Sequence, residues 1–186
     1  MPRTFKYVAD FETTTDKDGS VRVWLWTATN VDVPENWEYG KDIESFFKWC
    51  LKKRGTIYFH NLKFDGSYIL DYLLSGGYEH TTNRAPYPSS FTTLIDDTGK
   101  YYQIVVNFGK DRIVRFNDSL KKIPLSVSEI AKVYKLAEGK GTIDYDKYRP
   151  IGYVPTEEEI DYARRDVQIV AHALKVVLDS GMTGLT

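Results

Sequence analysis

The sequence predicts an α/β protein in which helices flank a mixed central sheet. The predicted elements run strand, strand, helix, strand, helix, then further strands and a final long helix, an order typical of a layered α/β domain. The first two strands are joined by a short turn, which favours an antiparallel pair. With 186 residues the chain has about the length of one domain and can bury a sizeable core. We find no internal repeat, low-complexity tract or linker.

The first third of the chain carries two strand patterns and one helix pattern. Residues 5–12, with the apolar pair Val8 and Ala9, are predicted to form a strand. Residues 21–29 (VRVWLWTAT) are rich in β-branched and aromatic side chains and are predicted to form a second strand. A loop with Pro34 and Asn36 follows. Residues 41–53 place apolar side chains at helical spacing, and Gly55 ends the predicted helix.

The middle of the chain predicts a central strand, a helix and a hairpin. Residues 56–61 (TIYFHN) form a short apolar run, and the helical pattern covers 66–74 before two glycines. Residues 78–90 contain two prolines and are predicted to be a loop. Residues 91–96 and 101–107 flank the turn sequence Asp97-Thr98-Gly99, which predicts a hairpin.

The last third adds one strand and two helices. Residues 112–118 (RIVRFND) predict a strand, residues 126–134 a helix, and residues 137–154 an irregular segment. Thr156 is a predicted N-cap because three glutamates follow it in the first helical turn. The final helix is predicted to run to about Asp179, before Gly181.

Composition excludes several classes of protein. The net charge is −1, so the overall charge does not indicate nucleic-acid binding. A neutral protein can still carry a local basic groove. The single cysteine, Cys50, excludes a disulfide framework and a Cys-rich zinc site. No apolar stretch approaches the roughly 18 residues of a membrane span, and the N-terminus does not have the pattern of a signal peptide. We therefore expect a soluble intracellular protein.

Four acids and a tyrosine form the candidate site. Asp10 and Glu12 are two residues apart in a strand, so their side chains point to the same face. Asp65 follows a strand at the mouth of a helix, and Asp166 lies in the last helix, one turn after Tyr162. Magnesium prefers oxygen ligands, and two such ions can clamp an in-line displacement at phosphorus. Clustered carboxylates would otherwise repel one another.

Each of these residues also has an ordinary structural interpretation. Asp65 could cap a helix, Glu12 could lie on the surface, and Asp166 could be a solvated acid beside two arginines. Tyr162 could be a core aromatic residue. Asp118, which closes a strand, could be a turn or cap residue. The joint occurrence of the acids in this order is the informative signal.

Four segments resemble a known family: "DFETTT", "YFHNLKFDG", "DSLKKIP" and "YARRD". They are similar to the exonuclease motifs and intervening segments of the protein-primed family B DNA polymerases of phages. These motifs belong to the DEDD, or DnaQ-like, proofreading exonucleases of RNase H-like fold. The resemblance covers nearly the whole chain, and the tyrosine four residues before the last aspartate marks the tyrosine subclass.

The resemblance implies catalytic roles for Asp10, Glu12, Asp65, Tyr162 and Asp166. The four acids would bind two Mg2+ or Mn2+ ions, and the tyrosine hydroxyl would help to orient the attacking water. It also implies that certain residues contact single-stranded DNA: Thr13, Asn61, Phe64, Ser119, Leu120, Lys140 and Tyr145. The aromatic residues of this set can stack on bases, the lysine can contact a phosphate, and the polar residues can form hydrogen bonds. Phe64 and Leu120 could equally be core residues.

The implied function is a metal-dependent 3′–5′ exonuclease that releases nucleoside monophosphates from single-stranded DNA ends. Its implied partners are single-stranded DNA, a terminal priming protein and a polymerase domain, in a phage protein of the bacterial cytoplasm that we expect to be monomeric. The polymerase motifs of the family would lie further on, so we expect either an excised exonuclease domain, residues 1–186, or a free-standing relative. A non-catalytic module that binds single strands or docks a priming protein is the alternative, and an RNA exonuclease of the same fold is a third.

Overall fold

The computed structural model describes residues 5–53, 55–136 and 142–186. The strands are β1 (Phe5–Thr15), β2 (Val21–Asn30), β3 (Trp37–Gly40), β4 (Gly55–Phe59), β5 (Glu79–His80), β6 (Ser90–Ile95), β7 (Tyr101–Asn107) and β8 (Ile113–Asp118). The α-helices are α1 (Ile43–Cys50), α2 (Leu62–Ser75), α3 (Val127–Val133) and α4 (Glu157–Asp179), and a short 3-10 helix covers Ser119–Lys121.

The strands of the described residues form one sheet in the order β3-β2-β1-β4-β8-β7-β6-β5. The central strands β1, β4 and β8 are parallel, whereas β2 and β3 on one side and β7 and β6 on the other continue the sheet antiparallel. The predicted mixed sheet flanked by helices is therefore confirmed, as are the antiparallel first pair and the hairpin of β6 and β7. No helix among the described residues is long and apolar enough to cross a membrane.

Successive side chains of β1 point to opposite faces of the sheet and pack in two different layers. Ala9 and Phe11 pack in the aromatic core that covers α1 and α2, whereas Val8 packs with α3 and α4 on the opposite face. Asp10 and Glu12 follow the parity of Val8 and therefore point toward α4. The hydroxyl of Thr27 on β2 donates to the carbonyl of Ala163 at 3.1 Å, which fixes α4 across this face of the sheet.

The structure differs from the predicted elements at short strands and at helix ends. The loop predicted after Pro34 contains β3, and the predicted loop 78–90 contains β5, a two-residue strand. Both strands are too short to show an alternating pattern, and they form because a neighbouring strand offers hydrogen-bonding groups. Helix α1 is shorter than the predicted 41–53, because Asp42 caps it by accepting from the amide of Ser45.

Helix α2 begins at Leu62, four residues before the predicted start at Gly66. Asn61 adopts a left-handed backbone with φ of 85° and turns the chain from β4 directly into the helix. Gly66 lies inside α2, where an added Cβ would come 3.3 Å from the side chains of Ile104 and Tyr101. The glycine thus lets α2 approach the sheet closely and is not a helix boundary.

We expect Gly55→Ala to destabilise the protein strongly. Gly55 has φ of +136°, and a Cβ there would lie 1.9 Å from the carbonyl oxygen of Phe5 in the parallel pairing of β1 and β4. The backbone strain alone costs about 1–3 kcal/mol, which corresponds to a fall in melting temperature of several degrees for a domain of this size. Gly99→Ala is the matched control, since Gly99 also has positive φ but has no atom within 4 Å of its added Cβ. Both variants share the backbone strain, so we expect the larger loss of stability for Gly55→Ala, where the added Cβ also meets Phe5. Equal losses of stability in the two variants would show that this close contact has no effect.

Candidate active site at the divergence of β1 and β4

The candidate site forms where β1 and β4 separate. Their parallel pairing ends at Val8 and Tyr58, so the following part of β1 has one edge without a strand partner. Glu12 is buried, Asp10 is half-buried, and a bulge follows directly after Glu12 in the pairing with β2. The bulge ends the regular alternation next to the two acids, as bulges near functional sites often do.

Asp65 fills the gap that the strand separation leaves. It lies in the first turn of α2 and is 2 % exposed. Its Oδ1 accepts a hydrogen bond of 3.2 Å from the backbone amide of Phe11, which lies between the two acids of β1. The side chain therefore replaces the missing strand as partner for β1 and is held beside Asp10 and Glu12.

Asp166 reaches the same place from α4. It lines, together with Asp10, a cavity of about 40 Å³ between β1 and the helices α3 and α4. A cavity of this size can hold a water molecule or an ion. The remaining lining residues are Val8, Ala9, His60, Val127, Val167 and Val170. The structure thus brings all four predicted acids, which come from three elements, to the place where the central strands β1 and β4 separate.

The proximity of the acids appears in their pKa values. Burial, reinforced by the charge of Asp166, raises the pKa of Asp10 to about 7, and burial with the charges of Asp10 and Asp166 raises the pKa of Glu12 to about 9. Burial and the charge of Asp10 hold the pKa of Asp65 well above its usual range. Burial also raises the pKa of Asp166 to about 6, although the Tyr162 hydroxyl opposes this shift. The folded protein therefore opposes the ionisation of all four acids, and a bound cation would favour it.

Tyr162 lies one helical turn before Asp166, and its hydroxyl is 3.5 Å from the hydroxyl of Tyr145. Burial, with the contact to Tyr145, raises the pKa of Tyr162 above its ordinary range, so the hydroxyl keeps its proton near neutral pH. A protonated hydroxyl beside a carboxylate can donate to, and so orient, a polar group bound between them.

The predicted DNA-contacting residues surround this site in different environments. Phe64 is 49 % exposed, which excludes the core interpretation of this side chain, and Asn61 and Tyr145 are also exposed. Thr13 is half-buried, and its carbonyl accepts a hydrogen bond from the Trp24 indole. Thr13 lies on β1, Asn61 directly precedes α2, Phe64 lies in the first turn of α2, and Tyr145 lies in the segment that precedes α4.

Ser119 and Leu120 lie in the 3-10 helix after β8. The Ser119 hydroxyl is buried, donates to the carbonyl of Phe59 and contacts His60 at 3.0 Å, so it is occupied within the protein. Leu120 is half-buried. Asp118 caps this helix by accepting from the amide of Leu120, which agrees with its structural interpretation. Lys140 lies outside the described residues.

Sequence reasoning missed the buried ion pair beside the site. The guanidinium of Arg149 binds Glu159 with two hydrogen bonds of 3.2 and 2.9 Å, and its positive charge opposes the rise in the pKa of Glu12. Arg149 lies in an irregular segment where no periodicity marks a residue as buried. The pattern around Glu159 indicated only a helix start, so no signal in the sequence pointed to this pair.

The four acids fit hard divalent cations in their chemistry, because they offer only oxygen donors in a buried setting that disfavours uncompensated negative charge. In the described part of the chain, however, no group of three or more His, Cys, Asp or Glu side chains already has the geometry of a metal site. Holding ions such as Mg2+ or Mn2+ is consequently a proposal about these acids.

Comparison with known proteins places the chain in a family. Residues 49–162 match the family model described as DNA polymerase type B, organellar and viral. The chain belongs to this family. It is 40% identical to the DNA polymerase of Bacillus phage phi29 over 190 aligned residues, which cover the whole chain but 32% of that polymerase. The predicted relationship to family B polymerases of phages is thus confirmed.

Solved structures of phage polymerases have the same fold. The structure titled Phi29 DNA polymerase complexed with primer-template DNA superposes with a TM-score of 0.90 at 36% identity, over 99% of this chain and 33% of that one. Phi29 DNA polymerase complexed with single-stranded DNA gives a TM-score of 0.89 over the same fractions. The predicted fold class is confirmed. The chain spans about a third of the length of these family B relatives.

Proposed function

We propose that this chain is a metal-dependent 3′–5′ exonuclease domain that acts on single-stranded DNA ends and proofreads for a protein-primed DNA polymerase. The observation that carries the proposal is the convergence of Asp10, Glu12, Asp65 and Asp166 from three elements where β1 and β4 separate, with Tyr162 beside them. The match to phage DNA polymerases supports the substrate class, because one of the similar structures is a polymerase complexed with single-stranded DNA.

The acids would hold two divalent ions, which when bound supply a hydroxide-like water and stabilise the charge that develops on the leaving oxygen. The water oxygen would bond to phosphorus and lose a proton to solvent, while the bond from phosphorus to the 3′ oxygen of the preceding nucleotide breaks. That oxygen would take up a proton from solvent, which leaves a nucleoside 5′-monophosphate and a new 3′ hydroxyl end. Tyr162 would donate to the attacking water or to a phosphate oxygen and so fix its direction. Exposed Phe64 and Tyr145 would stack on the terminal bases, which tolerates any sequence.

An oligonucleotide assay tests this proposal. A single-stranded DNA labelled at its 5′ end is incubated with the protein and Mg2+ or Mn2+, and a second sample contains a chelator. We expect a ladder of products shortened from the 3′ end that the chelator abolishes. A labelled RNA of the same sequence is the matched substrate, and we expect slower hydrolysis of it. Binding of the DNA without shortening would overturn the exonuclease and favour the non-catalytic module.

Tyr162→Phe is expected to slow hydrolysis by about 10-fold to 100-fold, the scale of a positioned proton-handling group. The four acids remain in this variant, so the loss should be smaller than that caused by removing a carboxylate. Single-turnover rates on the labelled oligonucleotide measure the effect. Tyr145→Phe is the control, because it removes the hydroxyl that contacts Tyr162 at 3.5 Å but keeps the exposed ring. A loss with Tyr162→Phe as complete as that with Asp65→Ala would assign this tyrosine a different role.

A further inference from the structure

Tyr145 lies in an exposed arch between two buried residues. The arch comprises residues 144–148, which are exposed, whereas Ile143 before it and Arg149 after it are buried. Ile143 packs in a small cluster with Trp24, Leu25 and Ala163. Tyr145 itself is 66 % exposed, and its hydroxyl lies 3.5 Å from that of Tyr162. The position of Tyr145 beside Tyr162 therefore depends on how firmly both ends of the arch are held.

Arg149 holds the second end through all three nitrogens of its guanidinium group. Its guanidinium is fully buried and lies 4.1 Å from the centre of the Trp24 ring. Nε and one terminal nitrogen donate to the same oxygen of Glu159 at 3.2 and 2.9 Å. The other terminal nitrogen donates to the carbonyl of Lys147 at 2.8 Å, so the arginine grips the arch itself. The other oxygen of Glu159 accepts from Tyr153 at 2.9 Å.

The backbone of Arg149 ties the arch to the sheet as well. Its amide donates to the hydroxyl of Thr14 on β1 at 3.2 Å, and its carbonyl accepts from the Arg22 side chain on β2. The same residue thus contacts β1, β2, the arch and α4. Thr14 lies two residues after Glu12, so this hydrogen bond fixes the position of the arch relative to the strand that carries Asp10 and Glu12.

A buried ion pair is a poor source of stability, because desolvation offsets most of the attraction and apolar residues of similar size often serve as well. Its advantage is geometric, since the planar guanidinium fixes several acceptors at once in a way that lysine cannot. We propose that Arg149 is a positioning residue that, with Glu159, fixes the arch so that Tyr145 meets the terminal base of single-stranded DNA above Tyr162. This inference rests on the proposed function for its substrate.

A double-mutant cycle tests whether Arg149 acts through Tyr145. The four proteins are the wild type, Arg149→Lys, Tyr145→Ala and the double variant. Anisotropy of a fluorescent single-stranded oligonucleotide in chelator gives Kd, and the exonuclease assay gives KM and kcat. We expect Arg149→Lys to raise Kd and KM about tenfold with kcat changed less than about threefold, and to raise them less than about twofold when Tyr145 is already alanine, because coupled residues are not additive.

A stability control separates positioning from general destabilisation. Leu178 is buried on α4 in the other apolar cluster, so Leu178→Ala should lower the melting temperature without changing Kd. An equal rise in Kd from Arg149→Lys in both tyrosine backgrounds, or a similar rise from Leu178→Ala, would overturn the proposal. If Arg149→Lys does not fold, Glu159→Gln takes its place in the cycle with the same expectation. The Kd cycle needs no hydrolysis, so the absence of a product ladder would refute the proposed function without deciding this inference.

Discussion

Asp65→Ala is expected to lower the rate of single-strand hydrolysis by at least about 10³-fold, the scale on which the loss of one essential active-site group is felt. Asp65 is buried and accepts from the Phe11 amide between Asp10 and Glu12, and burial together with the charge of Asp10 raises its pKa. Removing it takes one carboxylate from the proposed ion site and frees the edge of β1. Because Asp65 is only 2 % exposed, the DNA-contacting surface around it should persist, and we expect Kd for the oligonucleotide to change less than about threefold.

The same helix offers the matched control. Asp71 is also on α2 but is exposed, so Asp71→Ala removes the same chemical group without touching the site. We expect its hydrolysis rate to equal that of the wild type. Single-turnover rates with saturating Mg2+ and anisotropy in chelator measure the two quantities separately. Full activity of Asp65→Ala would remove this residue from the catalytic set, and a large loss of DNA binding would mean that it shapes the strand path.

The sequence predicted the acids of β1 and α4 because regular elements translate spacing directly into direction. The two-residue period of a strand puts Asp10 and Glu12 on the face of Val8, and one helical turn relates Tyr162 to Asp166. These relations need no knowledge of the rest of the fold. The resemblance to family B polymerases then supplied what local periodicity cannot, namely that Asp65 and Asp166 would meet the first two acids.

The features that were missed depend on contacts between distant parts of the chain. β3 exists because β2 offers it a partner, and its four residues carry no alternation. The start of α2 depends on the left-handed backbone of Asn61, whose amide donates to Asp118, 57 residues away. Arg149 can be buried because Glu159 accepts its hydrogen bonds and the Trp24 ring packs against its guanidinium. Composition and periodicity describe neighbours in sequence, so such long-range partners are invisible to them.

The double variant Asp10→Asn, Glu12→Gln is expected to lose hydrolysis by at least about 10³-fold and yet to gain stability in the absence of metal. The lost activity follows from removing two of the four proposed ligand carboxylates. The gained stability follows from the raised pKa values, about 7 for Asp10 and about 9 for Glu12, against ordinary values of 3.8 and 4.5. The folded protein thus opposes the ionisation of both groups, whereas the unfolded chain permits it.

The sign of the pH dependence is fixed by proton binding. Between about pH 4 and pH 9 the folded wild type binds more protons at these two acids than the unfolded chain does, so their contribution to the free energy of unfolding falls as the pH rises. The amide side chains of the double variant do not titrate, so its free energy of unfolding does not fall with pH for this reason. In chelator we therefore expect the double variant to melt about 5 °C or more above the wild type at pH 8, with the difference shrinking toward pH 4.

Metal and a second acid provide the controls for this prediction. Mg2+ should raise the melting temperature of the wild type at pH 8, because the ions compensate the buried charge, and should leave the double variant almost unchanged. Asp96→Asn should act in the opposite direction at pH 8, since hydrogen bonds from the Lys100 amide and the Thr98 hydroxyl lower the pKa of Asp96 to about 2. A double variant that is less stable than the wild type at pH 8 in chelator would mean that the two acids are compensated within the protein. The case that they are arranged for a cation would then fail.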